Sequence, residues 1–389
     1  MIFVFGCDGY IGNALCQRLL SEGKEVIGFD NFWRRQWVSE EMGSISATPL
    51  FDMDVKADMF NDMYPGTFSF EELDIETETT RLRNFFEDFK PETVVNLAHN
   101  PSAPYSMGSQ RQAENVLSNN IIGTNNLLWI IKETVPDCHY ITIGTAGEYD
   151  HYCNIDIEEG YATFVHKGRV SKEVIFPRRP GSIYHISKTC STYLIDYLSR
   201  AWDLRCTDVM QGVVFGTYTD QIADSNIYSR LDSDEAGGTV INRFVVQAVL
   251  GMPLTVYGQG EHKRTFLALN DCVQALMIAY YNKADRGHAQ VWNQLSEWHS
   301  MNDLAGMVVK VGKDLYGMDT EVSWIDTPRM EHTGEHYYHY VTDKLKALGY
   351  EKTREMTQEI MHMFETLLPI KDELFPLEAV VEPKIKFKV

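Results

Sequence analysis

The sequence contains no run of eighteen apolar residues, so no segment is expected to span a membrane. It has no CxxC pair, and its seven cysteines are scattered and odd in number. That pattern argues against a disulfide framework or a zinc site, and points to reduced thiols in a cytoplasmic compartment. Positive charge is scarce: 35 Lys and Arg stand against 55 Asp and Glu, a formal net charge of −20. So acidic a surface repels nucleic acid and anionic lipid at long range, and neither is expected as a partner. An anionic small molecule would require a local cluster of arginines or helix N-termini. No internal repeat is present. The opening residues Met1-Ile2-Phe3-Val4-Phe5-Gly6 already read as a buried strand, which leaves no room for a leader peptide.

What is present is an ordinary globular composition, 44% hydrophobic and 23% charged over 389 residues. Short apolar runs at 2–5, 25–29, 68–73, 93–97, 139–143 and 205–210 read as strands. Helical patterns lie between them, at 9–21, 79–89, 113–134 and 183–202. This alternation predicts an α/β fold with a doubly wound parallel sheet of the Rossmann type, over residues 1–210. After residue 211 the alternation loosens. Helices near 242–250, 271–281 and 302–311 and a strand at 254–257 suggest a smaller C-terminal α/β lobe. Residues 211–389 would form it, with some segments returning to the first domain. The connection 31–66 reads as a functional or covering loop, and the tail 381–389 as peripheral.

Gly6, Gly9 and Gly12 follow the first strand and open the first helix with the spacing GxxGxxG. Glycine at these places allows a tight turn, close backbone approach to a pyrophosphate and close helix–sheet packing. Asp30 ends the second strand 18 residues beyond Gly12, near the distance expected for the acid that holds an adenosine ribose 2′-hydroxyl. Together they point to a dinucleotide, and the charge of Asp30 favours NAD over NADP. Arg34 and Arg35 leave two readings open, a solvated loop or neutralisation of a 2′-phosphate.

Tyr184 and Lys188 form a YxxxK pair on one face of a helical pattern. A free phenol titrates near pH 10 and is a poor base at neutral pH. A neighbouring ammonium and the nicotinamide ring would favour its ionised form. Tyr184 then takes a proton from a sugar hydroxyl while hydride leaves the same carbon. Thr145 follows the predicted strand 139–143, at the end where α/β sheets place their ligands.

A strand-end threonine, a YxxxK pair and a glycine loop in this arrangement resemble the extended short-chain dehydrogenase/reductase family. That resemblance implies nucleotide-sugar modification on bound NAD. It assigns Asp74 and Ile75 to the adenine and matches Asn119-Asn120-Ile121-Ile122-Gly123-Thr124 to the NNxxGT helix segment. Arg264 and Asp271 are similar to its late Arg and Asp. Longer strings are similar to the UDP-sulfoquinovose synthase family within it. They include Asp30-Asn31-Phe32-Trp33-Arg34-Arg35, Ser102-Ala103-Pro104-Tyr105-Ser106-Met107, Gly144-Thr145-Ala146-Gly147-Glu148-Tyr149 and Tyr184-His185-Ile186-Ser187-Lys188. This resemblance runs from Met1 to about Gly349.

The implied reaction begins with oxidation at C4 of UDP-glucose, then loss of water across C5 and C6. Sulfite adds at C6, and C4 is finally reduced. The implied catalytic set is Thr145, Tyr184, Lys188, Glu148 and His185, Glu148 and His185 being candidate acid/base groups. The implied cofactor contacts are Gly6, Asp8, Gly9, Tyr10, Ile11, Gly12, Asp30, Asn31, Arg34, Arg35, Asp74, Ile75, Leu97, Asn119, Tyr184, Lys188 and Gln211. The implied substrate contacts are Ser102, Tyr105, Thr145, Gln211, Arg243, Thr255, Tyr257, Gln259, Arg264 and Arg329. No metal is expected, because His332, His336 and His339 have no completing ligand pattern. A homodimer is implied, through helices 113–134 and 183–202. The sequence departs from the resemblance at one place. Where that family carries a Gln-Arg pair before the Ser-Ala-Pro string, this chain has His99-Asn100-Pro101, without the cation that would help hold sulfite. A 4,6-dehydratase or C4-epimerase without sulfite is therefore the second reading, and a non-catalytic NAD-binding sensor the third.

Overall fold

The structure, a computed structural model, describes residues 1–149, 155–295, 297–326, 329–330, 339–382 and 387–388. Seven strands form one sheet: β1 (Ile2–Phe5), β2 (Glu25–Asp30), β3 (Thr67–Glu72), β4 (Thr93–Asn96), β5 (His139–Thr145), β6 (Arg205–Gln211) and β7 (His288–Gln294). Their order is β7-β6-β5-β4-β1-β2-β3, and every neighbouring pair runs parallel. The chain steps outward from β1 in both directions, so the strand order reverses between β1 and β4. In open α/β sheets the crevice at the carboxyl ends of such a reversal is where ligands bind.

β1 divides its side chains between two cores. Ile2 and Val4 join Leu15, Leu19 and Leu276 on one face, and Phe3 and Phe5 join Phe29, Phe86 and Leu128 on the other. A strand covered on both faces is apolar at every position, which is why this one was legible. Phe5 stacks on Phe29 with centroids 4.7 Å apart, and Phe3 meets Phe86 edge-on at 5.1 Å. β7 escaped the sequence reading because His288, Gln290, Asn293 and Gln294 break its apolar run. Within the sheet two of these polar groups find partners: Gln211 Nε2 donates to Gln294 Oε1 at 2.6 Å, and Thr207 Oγ1 donates to Gln290 Oε1 at 3.2 Å.

The helix predicted over 113–134 is three pieces: Gln110–Leu117, a π turn Ser118–Ile122, and Gly123–Thr134. π turns inside helices recur at functional sites. This one aims Asn119 at the Ala98 carbonyl (3.0 Å) and Asn120 at Ser187 Oγ (2.9 Å). It thereby ties the loop after β4 to the Ile183–Trp202 helix. Gly123 is needed for that packing, since a Cβ there would stand 2.6 Å from Ile75 Cδ1.

Two expectations are corrected. The connection 31–66 is not a covering loop but carries helices Trp33–Glu40 and Met53–Met63, anchored by buried Trp37 and Phe60. Arg34, Arg35 and Glu40 had obscured the apolar period of the first. The tail is not peripheral at its start: Val381 is fully buried, and Phe387–Lys388 pairs with Arg329–Met330.

Beyond β6, strands Val213–Phe215, Lys263–Ala268 and Glu297–Ser300 form a small sheet, and Leu254–Tyr257 pairs with Val322–Ile325. Helices Val240–Leu250, Met301–Tyr316 and Met356–Leu367 share a core built on Phe244, Val308, Ile360 and Phe364. The Leu269–Tyr281 helix packs back on the parallel sheet, and β7 joins its edge beside β6. Among the described residues no helix is long and apolar enough to cross a membrane, and all six cysteines are free.

Candidate active site

One cavity of about 550 Å³ opens along the carboxyl edge of the sheet, between it and the smaller lobe. At one end lies the glycine loop. Gly6 has φ +81°, and a Cβ on it would stand 2.7 Å from the Leu97 backbone; on Gly12 it would stand 2.0 Å from the Gly6 oxygen. The Tyr10–Ser21 helix begins at Gly9, and no side chain caps it. Its first amides remain available to an anion, which the helix dipole also favours. Gly6, Gly9, Tyr10, Ile11, Gly12, Asp30, Asn31, Ile75, Leu97 and Asn119 all line the cavity. The Asp30 carboxylate accepts from the amides of Asp8 and Phe32, each at 3.0 Å. Burial pushes this carboxyl up to about 6, against those two amide donors.

Not every expected contact reaches the cavity. Asp8 turns inward to Lys56 (3.0 Å) and Arg35 (2.5 Å), so neither Asp8 nor Arg35 lines it. Arg34 lines the wall, but its guanidinium is committed to Asp232 at 2.6 Å and to the Gly237 carbonyl. Neither arginine is free to neutralise a 2′-phosphate. Asp74 accepts from Asn31 Nδ2 at 2.7 Å and from the amides of Glu76 and Thr77, away from the cavity.

At the centre, Thr145, Tyr184, Lys188, His185 and Gln211 converge. Thr145 ends β5, and Ser182 caps the helix that carries the other three side chains of the Tyr184–Lys188 stretch by accepting from the His185 amide. Tyr184 and Thr145 line the cavity together, and Thr145 favours the ionised phenol. Burial holds the phenol above its ordinary value, and the Glu148 charge adds to this. Burial pulls the Lys188 ammonium down, while Asp208 and Glu148 oppose the fall. Lys188 Nζ lies 2.6 Å from His99 Nδ1, and His99 Nε2 lies 3.0 Å from Thr124 Oγ1. An ammonium can only donate, so Nδ1 accepts and Nε2 carries the proton toward Thr124. Burial, with Arg264 nearby, brings His185 down to about 4, so it is neutral at pH 7.

Glu148 does not face this centre, and its expected place beside the sugar is corrected. It is fully buried and does not line the cavity. Oε1 accepts from the Thr145 amide (3.2 Å), Oε2 from Thr192 Oγ1 (3.0 Å), and Arg178 Nε lies 3.9 Å away. The capping box that Thr145 and Glu148 form across the short 3₁₀ turn draws the carboxyl back under the strand end.

At the far end, Arg243, Tyr257, His262, Lys263, Arg264 and Thr265 form a basic wall. Arg243 Nη1 donates to Tyr257 Oη at 3.0 Å and Nη2 to the Thr255 carbonyl at 3.1 Å, which fixes the guanidinium plane. Among the described residues its buried Nε has no partner. Ser102 lines the cavity, and its hydroxyl hydrogen-bonds the Ala236 carbonyl. Three expected substrate contacts are corrected. Tyr105 is buried between Trp33 and Trp37, Thr255 is buried against Gln247, and Gln259 is exposed outside the cavity. The backbone of Arg329 is in a strand, and its side chain lies outside the described residues, as do His332 and His336. His339 pairs with Asp156 at 3.2 Å.

The sequence reading missed His99 as the partner of Lys188, and missed Thr192, Asp208 and Arg178 behind the centre. The position of His99, three residues past β4 at the sheet's reversal, was the one available signal. Thr192 and Asp208 are internal to a helix and a strand, Arg178 lies in the segment before that helix, and none of them carries a motif.

A model of the NAD dependent epimerase/dehydratase family matches residues 2–293. The chain is 36% identical over 388 residues to a UDP-sulfoquinovose synthase of Sulfolobus acidocaldarius, covering all of this chain and 97% of that one. It is 38% identical over 349 residues to a chloroplastic UDP-sulfoquinovose synthase of Spinacia oleracea, covering 90% of this chain and 71% of the other. Its fold is similar to that of UDP-glucose 4-epimerase from Thermotoga maritima solved with UDP-glucose. The TM-score is 0.71 at 19% identity, covering 95% of this chain and 99% of that one.

Proposed function

The chain belongs to the NAD dependent epimerase/dehydratase family, and on that premise we propose that it acts on UDP-glucose with NAD and sulfite, in the manner of a UDP-sulfoquinovose synthase. The observation that carries this reading is the convergence of Thr145, Tyr184 and Lys188 in one cavity, between the glycine loop and the Arg243 wall. The residues fit a dinucleotide: a side chain at Gly6 or Gly12 would collide with backbone, and uncapped helix amides face the same space. The glycine loop would hold the pyrophosphate, Asp30 the adenosine ribose, and Lys188 the nicotinamide ribose. NAD held there would supply the hydride acceptor for C4 of the sugar and the hydride donor that closes the cycle.

Tyr184 takes the proton from the C4 hydroxyl as the ketone forms, and gives it back on reduction. Lys188 lowers the cost of the phenolate, and Thr145 hydrogen-bonds the C4 oxygen. The ketone acidifies the C5 proton, so the C6 hydroxyl leaves as water. His185 is neutral and within the cavity, and is the group placed to carry that proton. Arg243 and Arg264 meet the UDP diphosphate, for which planar donors are suited.

Pro101 stands where the resemblance expects an arginine. This favours, as the second reading, a dehydratase or epimerase without sulfite. Against it, the chain is 36% and 38% identical over most of its length to two UDP-sulfoquinovose synthases, and Asn100 beside Pro101 lines the cavity. Ile122 at the end of the π turn, Trp129 on the helix after it, and Ile186, Tyr193 and Tyr197 on the neighbouring helix are exposed. They support pairing with a second copy of the chain. The free thiols support a cytoplasmic setting.

The test uses UDP-glucose carrying deuterium at C4, with sulfite. Hydride return within one active site keeps the label at C4 of a sulfonated product. Loss of that label to solvent would overturn the cycle proposed here.

A further inference from the structure

Behind Tyr184 and Lys188 lies a group of buried charges that the reaction above does not use. Glu148 is 0% exposed and Asp208 2%. Thr192 Oγ1 stands 3.0 Å from Glu148 Oε2 and 3.0 Å from Asp208 Oδ2. A hydroxyl has one proton and can donate one full hydrogen bond. Two ionised carboxylates on the same hydroxyl would leave one oxygen facing lone pairs in a site closed to water. The second contact becomes a hydrogen bond only if one carboxyl carries a proton and donates it to Oγ1. The hydroxyl then donates to the other carboxylate.

The neighbouring charges make this count matter. Arg178 approaches Glu148 from the segment before the helix and lies over the Tyr149 ring at 4.2 Å. Lys188 and Cys190 approach from the helix itself, Cys206 from β6, and Tyr161 from the strand Tyr161–His166 that precedes the helix. The fixed charges are two cations, Arg178 and Lys188, against the carboxyl pair. A pair with two charges cancels them. A pair with one proton leaves one positive charge in surplus, one turn from the Tyr184 oxygen.

We infer that Glu148 and Asp208 share one proton through Thr192 Oγ1, and act as a positioning pair whose single negative charge leaves Tyr184 free to ionise. The pairing rests on the geometry; its effect on Tyr184 rests on the function proposed above. Burial raises both carboxyls, Glu148 to about 7, and the Glu148 charge in turn raises the Tyr184 phenol. Such a proton belongs to the pair rather than to one residue.

Infrared difference spectroscopy of the NAD-loaded protein reads the proton directly. The expected result is a protonated carboxyl stretch at pH 6 that shifts in deuterated water and disappears in both Glu148→Gln and Asp208→Asn. No such band in the wild-type protein at pH 6, which needs no variant to fold, would overturn the inference. So would a spectrum from which neither substitution removes a band. The second readout is the pH profile of bound NAD reduction by UDP-glucose. Above about pH 7 the wild-type pair gives up its shared proton and carries two charges, whereas Glu148→Gln carries one at every pH, so the rising limb set by Tyr184, which lies higher, should move about one unit toward acid in the variant. A limb that stays in place, or moves toward alkali, contradicts the positioning role. A carboxyl band that behaves as stated in a protein that never reduces its NAD would leave the shared proton standing and reject the proposed function instead.

Discussion

Lys188 Nζ and His99 Nδ1 lie 2.6 Å apart, so the ammonium of the YxxxK pair is held by a neutral imidazole and not by a carboxylate. Burial and Lys188 itself hold His99 well below the usual histidine range. His99→Leu removes this acceptor and leaves the ammonium unanchored. A hydrogen bond to a charged group contributes about 1.5–3 kcal/mol. Reduction of bound NAD should therefore slow by roughly ten- to a hundredfold, with most of the loss recovered in His99→Gln. Stopped-flow absorbance of the reduced cofactor measures both. Equal rates in His99→Leu and wild type would remove His99 from the account.

Tyr184→Phe deletes the oxygen that exchanges the C4 proton and leaves the cavity shape nearly unchanged. General acid–base groups contribute about 10²–10⁴-fold, so hydride transfer should fall by that order. The purified variant should still retain NAD, because the glycine loop and Asp30 are untouched. Rapid-quench product analysis, with cofactor content measured on the same sample, separates the two. A variant that turns over at the wild-type rate is incompatible with the proposed chemistry.

Asp8 joins Arg35 and Lys56 below the glycine loop, and the Lys56 side chain is only 1% exposed. Asp8→Asn leaves that ammonium buried without a counter-charge, which typically costs about 3–5 kcal/mol. Chemical denaturation at pH 7 should show a loss of that size. The two cations hold the Asp8 carboxyl below its usual range, against burial. Its contribution is thus complete above the unfolded value, about 3.9, and disappears as pH falls through the lower folded value. The deficit of the variant should accordingly be constant from pH 7 to about pH 5.

His139 is buried in β5, with Nε2 at 2.8 Å from Thr207 Oγ1, and burial with Lys283 and Arg205 brings it down to about 3. The unfolded chain protonates it near 6.5. Below that pH the unfolded state binds the extra proton, so the histidine's contribution to stability declines steadily as pH falls toward 3. Asp30, Glu148 and Glu359 have raised values and act in the opposite direction. A comparison with His139→Gln isolates the term. Relative to the variant, the wild-type protein should lose stability between pH 6.5 and pH 4, as read from thermal midpoints. A difference independent of pH would show that His139 is not held neutral.

Much of this architecture was legible because the parallel strands are apolar on both faces and are separated by amphipathic helices. β1 and the Ile183–Trp202 helix were read to the residue. β7 was not, because its polar side chains are satisfied by neighbouring strands. The glycine loop, Thr145, Tyr184 and Lys188 were found because their chemistry constrains spacing along the chain. Asp8, Arg35, Asp74 and Glu148 were placed at the ligand by the family resemblance, yet each turns to a partner distant in sequence or across a turn. Tyr105 and Thr255 are packing residues beside functional ones. His99 and Asp208 lie 89 and 20 residues from Lys188, and only the sheet brings them to it.

The measurement that bears most directly on the proposed function is mass spectrometry of the product from UDP-glucose in deuterated water, with and without sulfite. The expected product with sulfite is a UDP-sugar that has lost oxygen at C6, gained a sulfonate there, and carries one deuterium at C5. Without sulfite, deuterium should enter only through the reversible C5 step. A UDP-glucose that stays unlabelled and unchanged under both conditions would contradict the assignment of substrate and reaction together.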